Sequence, residues 1–429
     1  MAMKYAVITF GCRVNQADSL GAEEVLLAHG ASAAPPEEAD LVLVNTCSVT
    51  AAADQAARQT IRRVSRANPA ARIVVTGCYA TRRPDEIGAL PNVARVVPND
   101  DKPRLVPLLR DLFDRDGLGA TTAVRFGDGD GSCGSQIEPG VAGRTAFTLR
   151  VQTGCAEPCA YCIIPTTRGA PRSLPLVEVI REVERVTSAG FKEIALTGVH
   201  LGSYGRDLTP RTSLARLLES LAGHPSSAHV RFRISSLEPM DCTADVVSLV
   251  ADRACFAPHF HLPLQHAADR MLAAMRRPYR LDYYASLVDG IRTRLPDASI
   301  GSDLIVGFPG ESDTDFEELV AYLEAAPLTH VHVFPYSDRD GTDASRLAGR
   351  VPGSVVRDRA RRVRAISASL ADRFRGSQVG TVHRALTLDD GSIAVTGNYL
   401  KIRIPPRRPR NEWVRVRVCS HTEGELLGG

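Results

Sequence analysis

Apolar residues fall into three short runs near the start of the chain, at 4–10, 41–45 and 72–76. Each is followed by a longer segment, 19–29, 51–68 and 84–90, whose apolar positions recur every three or four residues. Short apolar runs alternating with helical periodicity predict a parallel sheet with helices packed on its faces. This first α/β unit covers 1–115. From 144 to 351 the alternation resumes, with strands expected at 146–151, 193–197, 230–235, 259–263, 299–306 and 330–334. Six such units with few extra strands make an open, partial (β/α)6 barrel. A basic helix is expected over 352–375. From 376 to 429 the period drops to two, with turns at Asp389-Asp390-Gly391 and Gly397-Asn398, which predicts a small antiparallel β barrel. The segment 116–143, with its Gly127-Asp128-Gly129-Asp130-Gly131 run, reads as a linker.

Composition narrows the class without naming a chemistry. The 429 residues are 44% hydrophobic, enough for two or three cores. No apolar run approaches the roughly 20 residues of a membrane span, and no basic leader precedes the first strand, so a cytoplasmic protein with no membrane partner is expected. Ten cysteines are too few for a disulfide scaffold in a chain this long. Net charge is only +3, so affinity for nucleic acid has to come from local patches. One lies in the last domain, where Lys401, Arg403, Arg407, Arg408, Arg410, Arg415 and Arg417 face a single acid, Glu412. Lys401, Arg403, Arg415 and Arg417 alternate with apolar residues on strand-like segments, and the three arginines are expected on one sheet face against a phosphate backbone. The seven arginines between 357 and 375 form a second basic stretch, equally readable as a solvated helix face.

Cysteine spacing carries the chemistry. In Cys155-Ala156-Glu157-Pro158-Cys159-Ala160-Tyr161-Cys162, three thiolates can occupy three corners of an iron–sulfur cube and leave the fourth iron open for a ligand. The next cysteine downstream is Cys242, so no fourth ligand is at hand. A zinc knuckle completed by a distant histidine, or three unrelated buried cysteines, are the alternatives. A second triad is spread over the first domain. Cys12, Cys47 and Cys78 each follow one of the first three strands, at the carboxyl ends where open α/β sheets place their ligands. They are expected to converge, with independent core cysteines as the alternative. Cys133, Cys242, Cys255 and Cys419 fall outside both patterns and are read as non-ligands. His261 and His266 are expected near the barrel mouth in structural roles.

The Cys155–Cys162 loop, continuing into Ile163-Ile164-Pro165, resembles the cluster loop of radical S-adenosylmethionine (SAM) enzymes. With Gly11-Cys12-Arg13-Val14-Asn15-Gln16, Asn45-Thr46-Cys47-Ser48, Gly77-Cys78-Tyr79-Ala80, Thr197-Gly198-Val199-His200-Leu201-Gly202 and Ser235-Ser236-Leu237-Glu238-Pro239, the whole chain is similar to the methylthiotransferases of that superfamily. The likeness is strongest to the branch acting on N6-threonylcarbamoyladenosine at tRNA position 37. It implies two [4Fe-4S] clusters, one on each cysteine triad, and a C-terminal TRAM barrel. It further implies insertion of a methylthio group at adenine carbon 2, with sulfur held at the Cys12/Cys47/Cys78 centre and a 5′-deoxyadenosyl radical generated from SAM at the other. Gly198, Ser235 and Gly307 are the expected SAM neighbours, tRNA the partner, and an electron-donor protein and a sulfur donor the unidentified accessories. The chain departs from the family pattern at Leu174, where an arginine is usual, and at Thr166-Thr167. Two other readings compete: the branch that modifies an aspartate of a ribosomal protein, and a non-catalytic RNA-binding iron–sulfur protein.

Overall fold

The computed structural model describes residues 3–105, 108, 145–405, 408–422 and 424–429. The expected linker, Cys133, Arg144 and Arg407 lie outside the described residues. The first domain is a five-stranded parallel sheet, β1 (Lys4–Thr9), β2 (Ser32–Ala33), β3 (Leu41–Thr46), β4 (Arg72–Gly77) and β5 (Val93–Val97), in the order β2-β1-β3-β4-β5. β3 sits at the centre with every residue buried, which is why it reads as a continuous apolar run. The register sets Thr9 beside Asn45 and Thr46 beside Gly77, so β1, β3 and β4 end level with one another.

The central domain holds β6 (Phe147–Arg150), β9 (Glu193–Thr197) and β10 (Arg231–Ile234), then β11 (His259–His261), β12 (Ser299–Val306) and β13 (His330–Pro335). These are the six expected strands, paired in parallel in the orders β10-β9-β6 and β11-β12-β13, and Phe232 bridges to Phe256 between the two sets. Leu149, Leu196, Phe232, Ile300, Leu304 and Val331 are buried in one continuous core beneath the helices. Two short strands, β7 (Gln152–Thr153) and β8 (Arg172–Ser173), clamp the cysteine loop by pairing with each other.

A helix, Gly353–Ser377, leads to the last domain. There β14 (Val382–Leu388), β15 (Ile393–Thr396), β16 (Lys401–Arg403), β17 (Trp413–Thr422) and β18 (Glu425–Gly428) close a barrel in the order β14-β15-β16-β18-β17. The barrel is antiparallel except where β16 runs parallel to β18, a pairing that alternation alone does not reveal. Arg231 and Arg233 fasten it to the central domain. Both pair with buried Glu193, and they donate to the carbonyls of Val395 and Gly397 at 3.2 and 2.8 Å. Burial opposes ionisation of Glu193, but Arg233 and Arg231 outweigh it and hold the carboxyl down at about 2. A folded value below the ordinary 4.5 means this contact contributes fully at neutral pH and is lost only as pH falls towards 2.

A candidate double iron–sulfur centre

The first triad is built by loops that only glycine allows. Gly11 has φ +88°, and a side chain there would lie 2.5 Å from the Cβ of Cys47. Gly77 has φ +97°, and a Cβ would stand 2.2 Å from the carbonyl oxygen of Thr46. Cys12 caps the helix Arg13–Ala28, Cys47 follows β3, and Cys78 opens the helix Cys78–Arg82. Asn15 ties two of these loops together, donating to the carbonyls of Phe10 at 2.8 Å and Thr46 at 2.9 Å. The helix therefore begins at Arg13, six residues earlier than the apolar period indicates, because Asn15 and Asp18 serve the site and not the core.

The structure brings Cys12, Cys47 and Cys78 close enough for their charges to act on one another. Burial pushes the Cys47 thiol up to about 12, and Cys78 and Cys12 add to it against a weaker pull from Arg168. In the second triad burial likewise pushes Cys162 up to about 12, with Cys159 and Cys155 adding to it, and raises Cys159. A bound metal would supply the positive charge against which such buried thiols ionise. Every described cysteine is a free thiol. Donors already point at the sulfurs: Arg277 Nη1 lies 3.2 Å from Cys159 Sγ, the Glu157 amide 3.4 Å from Cys155 Sγ, and Asn99 Nδ2 3.7 Å from Cys78 Sγ. Hydrogen bonds of this kind tune the potential of cysteine-held iron–sulfur clusters. Both triads fit such a cluster.

Several of these partners escaped sequence reading. Arg168, in the short helix after the cysteine loop, reaches across to the first domain, bonds Asn15 and pairs with Asp18 at 3.2 Å. Burial opposes the ionisation of Asp18, but Lys102, Arg150 and Arg168 hold its carboxyl well below the usual range. His200 lies 2.8 Å from Asp241; burial lowers its pKa, but Asp241 and Cys155 together raise it to about 10. His200 stands in the quoted motif after Gly198, but neither its role nor that of Arg168 or Arg277 is readable without the fold, since their partners are distant in sequence.

Beside Cys162 and the loop that follows Cys47 lies a hollow of about 180 Å³. Val49 and Thr50 line it from the Cys47 loop, and Cys162, Gln265, Asp303 and Tyr336 line it from the barrel. The first domain is pinned over this space by Arg339, which pairs with Asp54 at 2.7 Å, and by Ser337, which accepts from the Ala51 amide at 2.9 Å. Ser235 Oγ is buried without a hydrogen-bond partner. Of the expected SAM neighbours, Ser235 thus has a free buried hydroxyl. Gly198 approaches Gln152, where a Cβ would lie 2.9 Å from its Oε1. Gly307 has a different physical reason: a Cβ would strike Val356 of the helix Gly353–Ser377 at 2.4 Å. His266 is buried and accepts from the Ala268 amide, a structural role, whereas His261 faces Asp303 across 3.0 Å inside the barrel.

Lys401, Arg403, Arg415 and Arg417 all point outward, with Ile402, Val414 and Val416 buried between them. The three arginines do not share one face. β18 separates β16 from β17, so Lys401 and Arg403 border a hollow of about 500 Å³ against the barrel, while Arg415 borders another with Trp413 and Arg384. Arg403 pairs with Glu425 at 3.0 Å. On the basic helix, Arg359, Arg361 and Arg362 pair with Asp313, Asp358 and Glu317, so much of its charge is neutralised locally.

A three-cysteine loop on a partial (β/α)6 barrel, tied through Arg168 to a domain that carries a second triad, defines a radical SAM enzyme with an additional cysteine centre. The family comparisons agree. Residues 149–323 match the Radical SAM superfamily and residues 4–98 match "Uncharacterized protein family UPF0004". The chain is 34% identical to the threonylcarbamoyladenosine tRNA methylthiotransferase MtaB of Aquifex aeolicus, covering 97% of this chain and 100% of that one. It is 33% identical to the ribosomal protein uS12 methylthiotransferase RimO of Sorangium cellulosum, covering 99% and 90%. The radical SAM methyltransferase TsrM of Kitasatospora setae shares the fold, with a TM-score of 0.54, 16% identity, and coverage of 78% and 72%. The chain belongs to the radical SAM methylthiotransferases, in the MtaB branch. As a member of that superfamily it uses SAM and a [4Fe-4S] cluster. Among the described residues, no helix is long and apolar enough to cross a membrane.

Proposed function

We propose that this protein is a tRNA methylthiotransferase that places a methylthio group on carbon 2 of N6-threonylcarbamoyladenosine at position 37. The observation that carries the reading is the hollow that Cys162 shares with Val49 and Thr50 of the Cys47 loop, where a substrate would come within reach of both domains. Cys155, Cys159 and Cys162 would hold the SAM-binding [4Fe-4S] cluster, and Cys12, Cys47 and Cys78 a second one. When bound, these groups supply sulfur and a radical able to take hydrogen from a C–H bond too weakly acidic for any side-chain base.

The protein's own residues position and shield. Arg277 and His200 set positive charge beside Cys159 and Cys155, and Arg168 does the same beside Cys78 and Cys12. Arg168 and Arg339 hold the first domain down on the barrel. Ser235 Oγ offers unused hydrogen-bonding capacity to SAM or to the base, and Gly198, packed against Gln152, would be a second SAM neighbour. A base in an anticodon loop is single-stranded and can be turned into such a space while cations grip the flanking phosphates. Lys401, Arg403, Arg415 and Arg417, all outward on the last barrel, would supply that grip. An electron-donor protein and a sulfur donor complete the reaction.

Iron analysis tests the ligand assignment. Two four-iron clusters give about eight irons per chain after anaerobic reconstitution, and Cys155→Ala/Cys159→Ala/Cys162→Ala leaves about half. A wild-type value near four, or zinc in place of iron, contradicts the assignment.

A further inference from the structure

Arg13 follows the cluster residue Cys12, yet its guanidinium turns towards the barrel of the last domain and donates to Tyr399 Oη at 3.2 Å. No carboxylate of the described residues lies within ion-pair distance of Arg13, whereas Arg82, Arg168 and Arg339 each have one. Tyr399 is held in a left-handed conformation, φ +67°, which a bulky residue adopts only under constraint from its surroundings. Its ring packs on His259 at 5.3 Å and lies 4.5 Å from the Arg233 guanidinium, while 48% of the residue remains exposed. The same ring borders the 500 Å³ hollow with His330, His332 and Lys401. Through Tyr399, Arg13 thus links the edge of this hollow to the loop that carries Cys12.

The imidazoles of His261, His330 and His332 bring their nitrogens within 4.8 Å of one another. Burial and its two histidine neighbours hold His330 down at about 4, and burial with Arg233, His330, His261 and Arg13 holds His259 well below its ordinary value. His259 and His330 are therefore neutral near pH 7, and Arg13 is an always-charged cation without an acidic partner among the described residues. An unpaired, half-buried guanidinium matches a ligand anion, and its planar fork suits a carboxylate above all.

We propose that Arg13 receives the carboxylate of the substrate's N6 substituent, so that it determines specificity for an adenosine bearing an amino acid. The inference rests on the tRNA reading above. A threonylcarbamoyl group ends in a carboxylate and carries a hydroxyl, whereas a purely hydrocarbon N6 substituent has nothing for Arg13 to bind. Arg13 acts on recognition and takes no part in bond-making.

The test uses reconstituted holoenzyme and two tRNAs that differ only at position 37, one with the threonylcarbamoyl acid and one with the same group as its primary amide. Wild-type protein is expected to prefer the acid by about 10–100-fold in kcat/KM, the range for a charge-assisted pair. Arg13→Met should lose that factor on the acid, change little on the amide, and regain part of it as Arg13→Lys. Iron content is measured alongside. Equal losses on both tRNAs, or acid preference retained in Arg13→Met, would overturn the proposal, as would a tightly held divalent metal at His261, His330 and His332 beyond the cluster iron. Wild-type activity on both tRNAs without preference overturns this inference alone. A fully loaded wild-type protein inert on both overturns the tRNA reading with it.

Discussion

Cys159→Ala is expected to abolish both SAM cleavage and methylthiolation, while Cys47→Ala abolishes methylthiolation and leaves SAM cleavage in place. The division follows from how the triads are built. Cys155, Cys159 and Cys162 come from one loop of the central domain, clamped by β7 and β8 and supported by Arg277 and His200, all from the same domain. Cys47 comes from the end of β3 and is positioned through Asn15, Thr46 and Gly11 in the first domain. Removing its sulfur deprives the second centre of a ligand without touching the first. Each loss should be complete within detection, because a centre with two remaining thiolates is not a weaker version of one with three. 5′-Deoxyadenosine and product nucleoside are measured in the same reaction, with iron content as the control. Loss of all SAM cleavage in Cys47→Ala while its other cluster stays intact by spectroscopy contradicts the division.

The second large effect concerns tRNA affinity. Lys401→Ala/Arg403→Ala/Arg415→Ala/Arg417→Ala should weaken tRNA binding and flatten its salt dependence by about 0.7 in log–log slope for each phosphate no longer neutralised, the value for a single strand. The two strands should not contribute equally. Lys401 and Arg403 border the same hollow as Tyr399, the partner of Arg13, so the β16 pair should cost more than the β17 pair although each removes two charges. Arg403 already shares its charge with Glu425, which reduces what its removal costs and leaves Lys401 the larger part. Filter binding at several salt concentrations reads the slopes. An unchanged slope in the fourfold variant makes these residues a solvated surface and moves the grip to other cations.

The elements of the fold were legible because each carries a local signature. β3 and β4 are continuous apolar runs since both faces are covered, and all six central strands fall within two residues of their expected bounds. The short strands β2, β7 and β8 were not legible, since two residues carry no periodicity. Nor was the parallel pairing of β16 with β18, which depends on how the barrel closes. That closure also explains why alternation correctly sent Arg403, Arg415 and Arg417 outward and yet misjudged their grouping. In the site, the cysteines announce themselves by spacing and by their place after strands. Arg168, Arg277 and Arg13 do not, because an arginine has the same one-letter signature whether it faces water, a thiolate or a substrate. Their roles arise from partners far along the chain: Asp18 for Arg168, Cys159 for Arg277 and Tyr399 for Arg13.

The central claim is tested most directly by the nucleoside at position 37. Anaerobically reconstituted protein is incubated with SAM, a reductant, a sulfur source and tRNA carrying N6-threonylcarbamoyladenosine, and the digested nucleosides are analysed by mass spectrometry. A methylthio group replacing the hydrogen on carbon 2 of that nucleoside, formed with 5′-deoxyadenosine, is the predicted result. An unmodified nucleoside from protein with both clusters loaded and SAM being cleaved, or methylthiolation of an aspartate in ribosomal protein uS12 in its place, would contradict it.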